Sequence, residues 1–176
     1  MTLITDQFDL FSRTEAVANI VPLRGNTSDI RTGDNAEFLA MFALGNLGYD
    51  PSQGPRNGPV DVFFQDRDIP GVLKVQVKGR NNKQNKNTVS FAFTRGFHAT
   101  KTGVYRYAPD DFDISACVLI PARKAIFHYG VPQKPINIPN KDFYKENIEE
   151  ISFNRAMQDL KNARKIPGRS GYSLSA

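Results

Sequence analysis

The run Val72-Leu73-Lys74-Val75-Gln76-Val77-Lys78 alternates apolar and polar residues. In a strand, Leu73, Val75 and Val77 share one face while Lys74, Gln76 and Lys78 share the other. Upstream, Asp61 stands between Val60 and Val62 in a stretch that continues with Phe63 and Phe64. Aspartate is depleted in strands, and a carboxylate among such neighbours costs free energy unless a cation or donor meets it. A simple hairpin brings Asp61 beside Gln76 and Lys78. These residue types suit phosphodiester hydrolysis, which needs a water nucleophile and stabilisation of charge on the phosphoryl oxygens. Mg²⁺ (or Mn²⁺) held by carboxylate and carbonyl oxygens supplies both. Asp61 is the expected principal ligand, with the Gln76 amide oxygen and the backbone carbonyl of Val77 beside it. Lys78 orients or deprotonates the water and offsets charge. Glu37 is expected to complete the site, directly or through a water.

Each residue also has an ordinary role. Glu37 lies three places after Asp34, the spacing of a capping box. Asp61 follows Gly58-Pro59 and can be a strand-edge aspartate, while Gln76 and Lys78 can form a solvated strand face. The combination points to a site more strongly than any one member. His98 and His128 have no neighbours at metal-ligand spacing. Asp110, Asp111 and Asp113 read as a turn with local backbone bonds rather than a second metal site. No phosphate-binding loop motif of the Gly-x-x-x-x-Gly-Lys type is present.

The elements around these residues follow from periodicity and breakers. Phe8, Phe11, Val17 and Ile20 can line a helix that Pro22 ends, and Gly25–Gly33 reads as a polar loop. A helix is expected from Asp34, with Phe38, Met41, Phe42 and Leu44 as its apolar stripe and Gly48 as its stop. The Gly- and Pro-rich stretch Gln53–Pro59 reads as a loop. Strands are expected at Val60–Gln65 and Val72–Gly79 around a turn at Asp66–Gly71, and at Val89–Thr94 with Phe91 and Phe93 on one face. Ile114–Ile120 reads as a buried central strand, and Lys124–Tyr129 continues the sheet. Pro132, Pro135 and Pro139 mark residues 132–140 as a linker, and Lys141 to about Lys165 reads as helical. Three segments result: 1–32, which can carry a helix; a nuclease-type core over 33–130; and 131–176. The class is α/β, a sheet with helices packed on it.

The 176 residues suit one domain. No apolar run has membrane-spanning length and the start lacks a signal-peptide pattern, so a cytoplasmic protein without a membrane partner is expected. The single cysteine, Cys117, excludes an internal disulfide and a Cys-rich zinc site. Net charge is +5, but residues 71–109 contain eight basic and no acidic side chains, which leaves −3 for the rest. One basic face on a slightly acidic chain is the footprint of a polyanion binder. Arg80, Lys83 and Lys86 follow the central strand directly, and Arg95, Lys101 and Arg106 extend the same track. They are the expected DNA-phosphate contacts.

Pro59-Val60-Asp61 followed by Gln76-Val77-Lys78 resembles the PD-(D/E)xK nuclease signature in a Q-x-K form. Gly33-x-x-x-Glu37 is similar to the helix bearing the accessory glutamate in archaeal Holliday-junction resolvases and in the cyanobacterial group I intron homing endonuclease of that superfamily. Tyr107–Val118 resembles the segment after the catalytic lysine in the intron-endonuclease branch. The likeness covers about residues 33–130. It implies a restriction-endonuclease-like central mixed sheet flanked by helices, Mg²⁺ dependence, cleavage of double-stranded DNA, and Glu37, Asp61, Gln76 and Lys78 as site residues. Pro-Val-Asp interrupts the usual Pro-Asp, and Gln76 replaces the usual acidic residue, which makes Glu37 more important as a second carboxylate. Cutting both strands needs two sites, so a dimer or tetramer is expected. The sequence leaves open a homing endonuclease, a junction resolvase, a restriction or repair endonuclease, and a non-catalytic nucleic-acid-binding protein.

Overall fold

The computed structural model describes residues 27–56, 58–81, 87–96 and 103–165. The helix expected within residues 1–26, together with Lys83, Lys86, His98 and Lys101, lies outside the described residues.

Helix α1 spans Thr27–Asn46, seven residues longer at its start than the sequence pattern indicates. Asp34 and Glu37 are therefore interior residues, and the capping box they seemed to form does not exist. Gly33 costs the helix about 1 kcal/mol relative to Ala, and packing overrides that cost. Of the expected stripe, Leu44 is buried and Met41 packs against the core, but the two phenylalanines do not. Ala36, Ala40, Ala43 and Leu44 are buried, whereas Phe38 and Phe42 are 58% and 67% exposed. Small side chains let α1 lie close to the sheet. At Gly79 a Cβ would sit 2.5 Å from the Ala36 Cβ and 3.0 Å from the Thr32 carbonyl oxygen. Phe38 and Phe42 face elsewhere.

Strands β1 (Ser52–Gln53), β2 (Val62–Gln65), β3 (Val72–Arg80), β7 (Ile114–Leu119) and β8 (Lys124–Tyr129) form a five-stranded sheet in the order β1-β2-β3-β7-β8. The β2–β3 hairpin is antiparallel with Val62 opposite Val75, β3 and β7 are parallel, and β8 returns antiparallel to β7. The sheet is thus mixed and flanked by helices, as the sequence analysis expects. β7 is buried along its whole length.

Two ribbons complete the chain. β4 (Thr88–Phe91) pairs with β9 (Ile136–Pro139), so part of the proline-marked stretch expected as a linker is a strand. Its prolines are compatible with a two-stranded ribbon because each strand has one unpaired edge. β5 (Thr94–Gly96) pairs with β6 (Val104–Arg106). A 3-10 turn at Asn140–Tyr144 precedes helix α2 (Ile148–Ala163), so the single helix expected from Lys141 is broken in two.

The core has two parts, one on each side of the sheet. Val62, Leu73, Val75, Val77, Ala116 and Phe127 meet α1 and α2. Cys117, Leu119 and Ile126 meet Val89, Phe91, Phe93, Tyr107 and Phe112. Helix α2 also blunts the β8 edge. The amide of Phe127 donates to Ser152 Oγ at 3.1 Å, and that of Ala125 to Glu149 Oε1 at 3.2 Å. Amides that would otherwise recruit a foreign strand are thereby satisfied.

Candidate active site

Strand β2 begins at Val62, one residue after Asp61. The ladder is interrupted there by a bulge: the Asp61 amide donates to the Val75 carbonyl at 2.9 Å, so Asp61 and Val62 together face Val75. Amide and carbonyl of one strand residue point to the same side, and residues two apart repeat that direction. Val77 therefore turns its N–H and C=O toward a place where β2 has already bent away. The Asp61 carboxylate fills that gap: Val77 N–H donates to Oδ2 at 2.7 Å. The bend depends on Gly54, whose amide donates to the Asp61 carbonyl at 2.7 Å. Any Cβ on Gly54 would collide with the Val60 carbonyl oxygen.

Gln76 meets Asp61 through its side chain. Its Nε2 donates to Asp61 Oδ2 at 2.5 Å and lies 3.4 Å from the Val77 carbonyl oxygen. The face it shares with Lys78 is not a solvated strand face. Gln76 is 3% exposed. Its Oε1 is buried and has no hydrogen-bond partner. An orphaned buried acceptor costs about 1–3 kcal/mol. Turning the amide over would aim Oε1 at the Asp61 and Val77 oxygens, and three oxygens converge only around a cation.

The carboxyl of Asp61 is pushed up to about 6, chiefly by burial. The Val77 amide opposes that shift, nearby Glu37 adds to it, and Lys78 and the Gln76 amide oppose it. Burial also lowers Lys78, with Asp61 holding it up and Arg80 pushing it further down. Both members of this pair are thus held away from their charged forms by desolvation and toward them by each other. The Lys78 ammonium lies 5.6 Å from the centroid of the Tyr107 ring. Glu37 is close enough for its charge to act on Asp61, but its Oε2 accepts from Gln53 Nε2 at 2.9 Å.

Asp61, Gln76, Val77 and Lys78 are thus brought together, with Glu37 beside them. Lys74 belongs to a different place, because its Nζ donates to the Asp110 carbonyl at 2.5 Å. The Asp110–Asp113 cluster is structural. Asp111 Oδ2 accepts from the Ala108 amide at 2.9 Å, and Asp113 accepts from the Lys74 amide and the Arg164 guanidinium at 2.9 and 2.6 Å. His128 is two strands away from Gln76 in the row Gln76, Ser115, His128. Among the described residues no three His, Cys, Asp or Glu side chains are grouped to hold a metal ion. The donors at this site are two carboxylates, an amide and a backbone carbonyl, which is a hard oxygen set suited to Mg²⁺ or Mn²⁺. Turned over, the Gln76 amide would give its unpartnered oxygen to such an ion.

Among the expected phosphate contacts, Arg80 lies at the end of β3 and its Nε donates to the Ser90 carbonyl at 3.1 Å. Arg95 and Arg106 both lie on the β5–β6 hairpin, yet on opposite faces: Arg95 pairs with Tyr105, and Arg106 with Thr94. The face of Arg95 is that of Tyr107, 5.9 Å from the guanidinium carbon to the ring centroid. Arg106 instead lines a cleft of about 150 Å³ with Lys134 and Pro135. The sequence analysis did not single out Gln53, Gly54 or Tyr107 as parts of the site. Gln53 and Gly54 lie in a stretch legible only as loop, and Tyr107 in a segment whose family likeness gave it no role.

A solved structure of a bacterial homing endonuclease, I-Ssp6803I, is similar over 78% of this chain and 97% of that one, with a TM-score of 0.54 and 19% sequence identity. The two share a fold. No protein-family model and no curated protein matches the sequence. Shared with I-Ssp6803I is the mixed α/β architecture: a central sheet with helices against it. Among the described residues, no helix is long and apolar enough to cross a membrane.

Proposed function

We propose that this protein is a metal-dependent DNA endonuclease of the PD-(D/E)xK type, acting as a homing-endonuclease-like enzyme on double-stranded DNA. The observation that carries this reading is the convergence of the Asp61 carboxylate, the Gln76 amide and the Val77 carbonyl beside the buried Lys78. The fold shared with a homing endonuclease supports it.

Asp61, the Val77 carbonyl and the Gln76 amide oxygen would hold Mg²⁺ or Mn²⁺, with Glu37 joining directly or through water. Such an ion, when bound, supplies Lewis-acid activation of water and stabilises phosphoryl charge. The protein's own groups do the positioning. Asp61 is fixed by the Val77 amide and would face the scissile phosphate. Lys78 offsets charge on the phosphoryl oxygens and orients the attacking water, inside a setting whose low dielectric strengthens the effect. Water adds to phosphorus, one ester P–O bond breaks, and the departing oxygen takes up a proton. Arg80 and Arg95, with Lys83, Lys86 and Lys101, would grip the flanking phosphates, and Arg106 would reach DNA only along the hairpin's other face. Cutting both strands calls for a homodimer or tetramer.

The test is incubation with plasmid and with synthetic four-way junctions, in Mg²⁺ or in EDTA, alongside D61A and K78A. Plasmid cleavage that needs metal, and falls by at least about 10²-fold in each variant, is expected. Cleavage confined to junctions would make the enzyme a resolvase. Binding without cleavage of either substrate would make it a non-catalytic DNA-binding protein.

A further inference from the structure

Tyr107 is 6% exposed and stands where three elements meet. It follows β6, and the Ala108–Asp111 turn behind it is closed by the Asp111 carboxylate on the Ala108 amide at 2.9 Å and by the Asp111 amide on the Ala108 carbonyl at 3.1 Å. Its ring meets Phe112 edge-on at 5.1 Å, and Phe112 in turn meets Phe93 at 6.0 Å. The ring is thus fixed from behind. Two cations lie within 6 Å of its centroid: the Lys78 ammonium at 5.6 Å and the Arg95 guanidinium at 5.9 Å. A desolvated cation over an aromatic ring is attracted by the ring quadrupole. The hydroxyl is pushed up to about 12, first by burial and then by the Asp61 charge, so the ring is neutral at any working pH.

We propose that Tyr107 is a positioning residue: its ring holds the Lys78 ammonium at the site and ties it to Arg95 on the β5–β6 hairpin. The inference rests on the nuclease reading for its catalytic meaning, but the contact itself does not. Lys78 has a long, flexible stem, and among the described residues no hydrogen bond or ion pair holds its ammonium. Apart from the ring, the described residues offer it the attraction of the Asp61 charge, which does not by itself fix its position. An ordinary core tyrosine, by contrast, would affect only folding.

Cleavage of plasmid under Mg²⁺ is measured for the wild type, Y107F and Y107L, and the Lys78 ε-methylene proton resonances are recorded by NMR on the same proteins. Y107F keeps the ring and is expected to cut within about twofold of the wild type. Y107L is expected to lose about tenfold in kcat with KM little changed. The Lys78 ε-protons are expected upfield of those of exposed lysines in the wild type and Y107F, and at the ordinary position in Y107L. Equal losses in Y107F and Y107L, or a fully active Y107L, overturn the proposal. So does an ordinary Lys78 resonance in the wild type, which decides the matter even if Y107L does not fold. A wild type that cuts no DNA defeats the nuclease reading, while the resonance still reports whether the ring holds the ammonium.

Discussion

At the scale of single residues, the chemistry of the site is inseparable from the cost of burying it. Asp61 carries a carboxyl raised to about 6 against an ordinary 3.8. In the metal-free protein the folded state therefore holds this proton over a range where the unfolded chain has released it. Asp61 detracts nothing below about pH 4, and its burial costs the fold increasingly as pH rises through 6, levelling at a few kcal/mol. D61N removes the charge and keeps an oxygen to accept from the Val77 amide and from Gln76 Nε2. The metal-free variant should melt higher than the wild type at pH 8 and alike at pH 4, by calorimetry at the two pH values. A lower melting temperature at pH 8 would show that burial does not dominate at Asp61. The same proton competes with a cation, so Mn²⁺ affinity in the wild type should fall steeply as pH drops below about 6, and titration calorimetry in two buffers should detect proton release on binding.

At the scale of elements, the close approach of α1 to β3 is what brings Glu37 near Asp61. Gly79 and Ala36 meet with no room for another methyl group. G79A should destabilise the protein by about 1–3 kcal/mol through overpacking and reduce cleavage by moving α1. A36G in the same chain should restore part of both, less about 1 kcal/mol for glycine inside a helix. Denaturant unfolding and plasmid cleavage of the single and double variants check this, and a G79A protein as stable as the wild type would contradict the packing. Here the sequence was only partly legible. The alternation of Val72–Lys78 and the turn at Asp66–Gly71 revealed the hairpin, and the unbroken apolar run of β7 revealed the central strand, because those signals are local. The start and orientation of α1 were not local. Phe38 and Phe42 look like a core stripe by type, but the groove over Gly79 selects the small alanines. Likewise β9 is hidden by its prolines, since only pairing with β4 makes it a strand. Within the site, Asp61, Gln76 and Lys78 stood out as polar residues in apolar runs. Gly54 and Tyr107 did not, because their roles exist only where distant segments touch.

At the scale of the whole molecule, the basic stretch of residues 71–109 is divided by the fold. Arg80 and Arg95 lie on the side of the site, whereas Arg106 faces the Lys134 cleft. R95A should therefore weaken DNA binding for all sequences and reduce the slope of log affinity against log salt by about one. R106A should change the slope less. Fluorescence anisotropy over a salt series distinguishes them, and equal slopes for R95A and wild type would remove Arg95 from the interface. Helix α2 is held on the far side by Lys161 to Asp68 at 3.0 Å and by Arg164 to Asp113 at 2.6 Å.

The account turns on a cation seated between Asp61, Gln76 and Val77, and anomalous diffraction from crystals grown with Mn²⁺ tests it most directly. The predicted result is a peak ligated by the Asp61 carboxylate, the Val77 carbonyl oxygen and a Gln76 amide turned to present Oε1. A peak held elsewhere, or none with Gln76 still donating to Asp61 at saturating Mn²⁺, would contradict it.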